Sequence, residues 1–105
     1  MFDLTKKVEG VLEKLGISEK CNGYKYLVDG ICIALQNKDT THSGKSTYKE
    51  LAAKYKTSSM NVERLIRHFI SKLWRDNKCG GTFNNRPTNG EFIYCLTEQI
   101  SAAKN

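Results

Sequence analysis

Apolar residues recur every three or four positions along most of the chain, which is the period of an α-helix with one buried face. The spacing predicts a first helix over about 3–15, with Gly16 as the left-handed residue after its end. A second helix is predicted over about 24–37, with Gly30 inside it at a point of close helix packing. The first part of the chain is therefore expected to form two packed helices.

The segment 48–75 fits the template of a helix-turn-helix unit, with helices over about 47–55 and 59–75. Ala52 supplies the small residue that the template needs where its two helices touch. The apolar template positions are Leu51, Tyr55, Val62 and Leu65. Lys56 stands at the turn position that is often glycine. Thr47 and Glu50 form a capping box that predicts the start of the first helix, and one of two adjacent serines is expected to cap the second.

The C-terminal part of the chain fits two structures. Asn89-Gly90 followed by an apolar run is typical of a hairpin turn and a strand, which would make the domain a winged helix. Thr88 and Glu91, directly after Pro87, instead form a second capping box at the start of a helix over about 88–103. The apolar residues that follow recur with a helical period, so the pattern favours the helix.

Length and composition indicate one domain over 1–105, without a membrane span. The chain does not begin like a signal peptide, and its longest apolar run covers only 31–35, so we expect a cytoplasmic protein. The cysteines are Cys21, Cys32, Cys79 and Cys95. Their spacing, with that of His42 and His68, matches no zinc pattern, so we expect reduced thiols and no metal site.

The net charge changes this picture, because it is concentrated on the helix-turn-helix. The whole chain carries a formal charge of +6, from 17 basic and 11 acidic residues. The window 43–75 holds eight of the basic residues and only two of the acidic ones, so it carries the entire excess. A basic element on an otherwise neutral domain is typical of a protein that binds a polyanion. Double-stranded DNA is the partner that this template predicts.

Four side chains on the helix over 59–75 are candidates for reading base edges in the major groove. Arg64 and Arg67 carry guanidinium groups that can pair with guanine, and Asn61 can pair with adenine. Glu63 can accept a hydrogen bond from cytosine or hold an arginine in position. An ordinary surface ion pair between Glu63 and Arg67, four residues apart, is an equal alternative.

Candidates for phosphate contacts surround these four positions, and such contacts orient a protein on DNA without reading sequence. They are Lys45, Lys49, Ser58, Ser59, Lys72 and Arg75. His68 is a further candidate, with packing against the first helix as its alternative.

An enzymatic function finds little support in the sequence. Gly44-Lys45-Ser46 resembles the end of a phosphate-binding loop, but the first glycine of that motif would fall at Asp39 and no strand precedes it. No carboxylate pair or cysteine–histidine arrangement indicates catalysis, and no cofactor is expected. The alternative function is that of a protein-interaction module, for example a small antirepressor. Such a module would use the same fold to bind an acidic protein partner.

Several motifs resemble one known family. Residues 62–68 resemble its V-E-R-x-I-R-H signature, 23–27 its G-Y-x-Y-L, and 87–93 its P-T-N-x-E-F-I. Residues 48–55 resemble its first helix-turn-helix element. The motifs occur in order and span about 8–100. On these residues the chain is similar to the DNA-binding effector domains of the sporulation response regulator family, stage 0 sporulation protein A.

The resemblance implies an all-α domain of about six helices around a central helix-turn-helix, which favours the helical C-terminus. It also implies transcriptional regulation through a short box resembling TGTCGAA, a tandem homodimer on DNA, and contact with an RNA polymerase sigma factor. Glu63, Arg64 and Arg67 fall on the family's DNA-reading helix. The chain departs from the family at Asn61, where arginine is usual, so one guanine contact is expected to differ.

Overall fold

The computed structural model describes residues 4–17, 21–36, 44–80 and 83–103. The described residues form five α-helices and no strand. The helices are α1 Leu4–Lys14, α2 Asn22–Gln36, α3 Gly44–Tyr55, α4 Ser59–Arg75 and α5 Asn89–Ala103. The all-α prediction is confirmed. No helix in the described ranges combines the length and the apolar character needed to cross a bilayer.

The central helix of the fold is α2, which packs against α1, α3, α4 and α5. More than half of its residues are buried, because apolar side chains occur on several of its faces. Tyr24 meets Phe69 of α4 edge to face, with ring centroids 6.2 Å apart. Tyr26 meets Tyr55 of α3, with centroids 5.0 Å apart. This aromatic packing fixes both helices of the helix-turn-helix against the same support.

Asp29 adds a polar connection between α2 and the end of α3. Its carboxylate accepts a hydrogen bond from the Tyr55 hydroxyl and lies 2.9 Å from the Lys54 ammonium nitrogen. The bond to Asp29 raises the pKa of Lys54 above its ordinary value. The pair is largely exposed on the lysine side, so we expect it to orient α3 more than to stabilise the fold.

The glycines show where helices approach closely. A Cβ atom at Gly23 would lie 2.8 Å from the backbone oxygen of Leu65 and 2.9 Å from Cβ of Phe69, which is too close for any side chain. At the predicted contact, Gly30, the nearest atom is Cγ2 of Thr47 at 3.6 Å, an ordinary packing distance. Gly30 is buried between helices as expected, but the strictest requirement for glycine lies at Gly23.

The two capping boxes predict where two helices start, and the first of these predictions is wrong. α3 begins at Gly44, so Thr47 lies inside the helix and does not cap it. Its methyl group faces α2 near Gly30, and this burial outweighs the local capping preference. The second box is confirmed, since the Thr88 amide donates to Glu91 Oε1 and the Glu91 amide donates to Thr88 Oγ1, at 2.9 and 3.1 Å. The segment Asn89–Ala103 is therefore a helix, and the winged alternative is wrong.

Candidate nucleic-acid interface

The turn between α3 and α4 sets the geometry of the candidate interface. Lys56 adopts a left-handed conformation, with φ of 55°, at the turn position where the template often has glycine. The next amide, of Thr57, donates to the carbonyl oxygen of Ala52 at 2.9 Å. Ala52 and Leu51 are both buried, as the template predicts. The two helices therefore meet in the predicted helix-turn-helix register.

α4 has one buried and one exposed face. Ser58 caps the helix by accepting a hydrogen bond from the Asn61 amide at 3.0 Å. The buried residues are Val62, Ile66, Phe69, Ile70 and Leu73, and Val62 is one of the apolar positions of the template. The predicted inward residue Leu65 is only partly buried. Arg64, Arg67 and His68 are exposed on the other face. The exposure of His68 favours its predicted phosphate contact over packing against α1.

The side chain of Asn61 joins the turn to Arg64. Its amide nitrogen donates to Thr57 Oγ1 at 3.0 Å, and its carbonyl oxygen accepts from Nη2 of Arg64 at 2.8 Å. Both functional groups of Asn61 are therefore used within the protein. Each group keeps a second hydrogen-bonding position, one N–H and one carbonyl lone pair, so this arrangement adds the positioning of the Arg64 guanidinium group to the predicted adenine contact.

Glu63 forms an ion pair with Arg67, the second candidate for reading a base. Nη1 of Arg67 lies 2.6 Å from each carboxylate oxygen of Glu63, one helical turn earlier. Both side chains remain substantially exposed, at 48% for Arg67 and 35% for Glu63. Exposed pairs of this spacing contribute about 0.3–0.5 kcal/mol, so a base or phosphate can displace Glu63 at little cost. Besides a contact with cytosine, two roles are predicted for Glu63, a surface ion pair and the orientation of an arginine. Both roles fit this geometry.

The structure describes the side chains of all but one of the residues that are predicted to contact phosphate. Lys49, Lys72 and Arg75 are exposed, and Ser59 is half-buried beside the exposed cap residue Ser58. Because Ser58 accepts the cap hydrogen bond through oxygen, its hydroxyl proton can still be donated to a phosphate. The side chain of Lys45 lies outside the described residues.

Sequence reasoning missed Arg86, which lies in the segment before α5. Its Nη1 donates to Oγ of Ser71 on the exposed face of α4, at 3.1 Å. This contact adds a basic group to the surface that carries Arg64 and Arg67. The only sequence signal for it is a basic residue immediately before Pro87, and such a position does not reveal a contact between segments distant in sequence.

Asn89 fixes the start of α5 against the helix-turn-helix. It is only 6% exposed, and its amide nitrogen donates to the backbone oxygen of Glu63 at 3.0 Å. Tyr48 of α3 also hydrogen-bonds Asn89, while burial raises the pKa of the Tyr48 hydroxyl. One buried polar side chain thus connects α3, α4 and α5 behind the candidate interface.

The surface offers groups for recognition. Within the four described ranges, no three His, Cys, Asp or Glu side chains come together as a metal site would require. The exposed face of α4 presents guanidinium groups, and hydroxyl and ammonium groups surround it. Such a surface can contact the phosphates and base edges of a duplex.

Comparison with known proteins gives a result that agrees with this geometry. The model of one protein family, described as the C-terminal domain of the sporulation initiation factor Spo0A, matches residues 8–100. The match includes all of α2, α3 and α4 and most of α1 and α5.

Proposed function

The chain belongs to the Spo0A C-terminal family, and from that premise we propose that it is a sequence-specific transcription regulator. The family is one of DNA-binding sporulation regulator domains, not of enzymes. In the proposed function, α4 enters the major groove as the recognition helix. The observation that carries the proposal is the exposed face of α4, where Arg64 and Arg67 project from a helix whose other face is buried.

The proposed base readers are Arg64 and Arg67, together with Asn61 and Glu63. In the proposed site Asn61 and Glu63 also orient the two arginines. Each guanidinium group can pair with O6 and N7 of guanine. The proposed phosphate contacts are Lys45, Lys49, Ser58, Ser59, His68, Lys72 and Arg75. Since Arg86 is hydrogen-bonded to α4, we add it to the phosphate contacts.

The wider assembly is also a proposal. We propose two copies in tandem on adjacent DNA boxes and contact with an RNA polymerase sigma factor, which the motif resemblance implies for a regulator of this kind. The contacts of α2 with the other four helices support the proposal that the chain is a single domain. We propose that this domain acts in the cytoplasm.

Selection from a random duplex library tests the proposal. We expect one short sequence to be enriched, and fluorescence anisotropy to show affinity that falls steeply with salt, with a log–log slope of roughly −0.9 per phosphate neutralised. Salt-sensitive binding without an enriched sequence would replace the proposal with a non-specific DNA protein. Absence of binding even at low salt would favour the alternative, a module that binds an acidic protein partner.

A further inference from the structure

Met60 is a large apolar side chain that the fold does not use. It is 79% exposed, the highest value among the large hydrophobic residues that the structure describes. It lies at the second position of α4, directly after the capped end of the helix. Burial therefore gives no reason for methionine at this position, and a polar residue would serve the helix equally well.

The position of Met60 on α4 relates it to the proposed base readers. Residues 60, 64, 67 and 71 are separated by four, three and four positions, so they form one stripe along a helix. This stripe lies opposite the buried face defined by Val62 and Ile66. Met60 is its first member, ahead of Arg64 and Arg67. In a recognition helix the residues near the N-terminus contact base edges, so this end enters the groove.

The chemistry of Met60 selects one feature of the groove. A thioether side chain cannot make the paired hydrogen bonds that distinguish guanine, adenine or cytosine. It is flexible and polarisable, which suits contact with a small apolar group. The major groove presents one such group, the C5 methyl of thymine. Neither flanking phosphate nor water would be a favourable neighbour for this side chain.

We propose that Met60 is a specificity-determining residue that contacts the methyl group of a thymine next to the base pairs read by Arg64 and Arg67. The inference rests on the proposed function, because it assigns a contact within the same protein–DNA interface. It adds an apolar contact to an interface otherwise built from charged and polar groups. The selected DNA site should therefore contain a thymine at a fixed distance from its guanines.

Replacing thymine by deoxyuridine tests this contact, because the substitution removes only the methyl group. Each thymine of the selected duplex is replaced in turn, and affinities are measured for the wild-type protein. At one position we expect binding to weaken about fourfold, the effect of losing one buried methyl group. Met60→Ala and Met60→Gln should weaken binding to the thymine duplex by at least as much, and should bind the deoxyuridine duplex at that position equally well.

Met60→Leu is the matched control, because it keeps an apolar side chain and should retain sensitivity to the methyl group. All three variants should melt at the wild-type temperature, since Met60 is exposed. A selected site without thymine, or a methyl sensitivity that persists in Met60→Ala, would overturn this inference while leaving the proposed function intact. Failure to select any duplex would overturn both.

Discussion

At the scale of single residues, the clearest division is between side chains that read bases and side chains that bind phosphates. Arg64→Ala and Arg67→Ala should each weaken binding to the selected site by about 1–3 kcal/mol, with the melting temperature nearly unchanged because both residues are exposed. The loss should shrink on a duplex in which the matching guanine is replaced. Affinities for single-base site variants measure this. Equal losses on every duplex would mean that the two arginines bind only phosphate.

Lys56 provides a test of the turn itself. A lysine in the left-handed conformation is strained, and glycine removes that strain while adding freedom to the unfolded chain. Lys56→Gly should therefore raise the free energy of unfolding by about 0.5–1 kcal/mol. Lys49→Gly, on the exposed face of α3, is the control and should lower it by about 1 kcal/mol. Denaturant melts that show equal losses for both variants would contradict the assigned turn.

The sequence predicts which residues of α4 face outward but not how their side chains are connected. Helical periodicity places Asn61, Arg64 and Arg67 on the exposed side. It does not specify that the side-chain amide of Asn61 forms hydrogen bonds with both Thr57 and Arg64. That choice depends on rotamers and on the exact position of the turn. Asn61 therefore has a second candidate role, positioning Arg64, beside the predicted contact with adenine.

At the scale of helices, packing of α2 against α4 depends on one glycine. Gly23→Ala would place a Cβ atom against the backbone of Leu65, which cannot move without shifting α4, so we expect a loss of about 1–3 kcal/mol. Gly10→Ala, in α1 with no atom within 4 Å of the new Cβ, should stabilise the protein by about 0.5–1 kcal/mol. Thermal melts of the pair measure the difference. Similar changes in both variants would mean that α2 and α4 are farther apart than described.

Helices are predictable from this sequence wherever a buried stripe and an end signal agree. α4 satisfies both conditions, since its apolar spacing and its serine cap define the same bounds. α3 does not, because the capping box at Thr47 is a local preference and the helix continues back to Gly44. Gly23 likewise looks like an ordinary residue before a helix, and only the approach of α4 reveals its importance. Contacts between distant segments, including that of Arg86 with Ser71, carry no local signature.

At the scale of the whole molecule, the decisive property is that the excess positive charge is confined to one region. The window 43–75 carries a net +6 while the rest of the chain is neutral, so the protein should approach DNA with one surface. Apart from Arg86, which contacts α4, basic residues elsewhere, such as Lys14 at the end of α1, balance acidic neighbours and are expected to contribute little to binding. Salt dependence distinguishes these two groups, since it counts the phosphates that the protein neutralises.

We therefore expect Lys72→Ala and Arg86→Ala each to make the log–log salt slope shallower by about one, with a similar loss of affinity on every duplex. Lys14→Ala should leave the slope unchanged, although it removes the same charge from the molecule. Affinity titrations of the selected and a scrambled duplex at several salt concentrations measure all three variants. If Lys14→Ala changes the slope as much as Lys72→Ala, binding responds to net charge alone. DNA would then not be held by the face of α4, and the assignment of that face as the interface would be wrong.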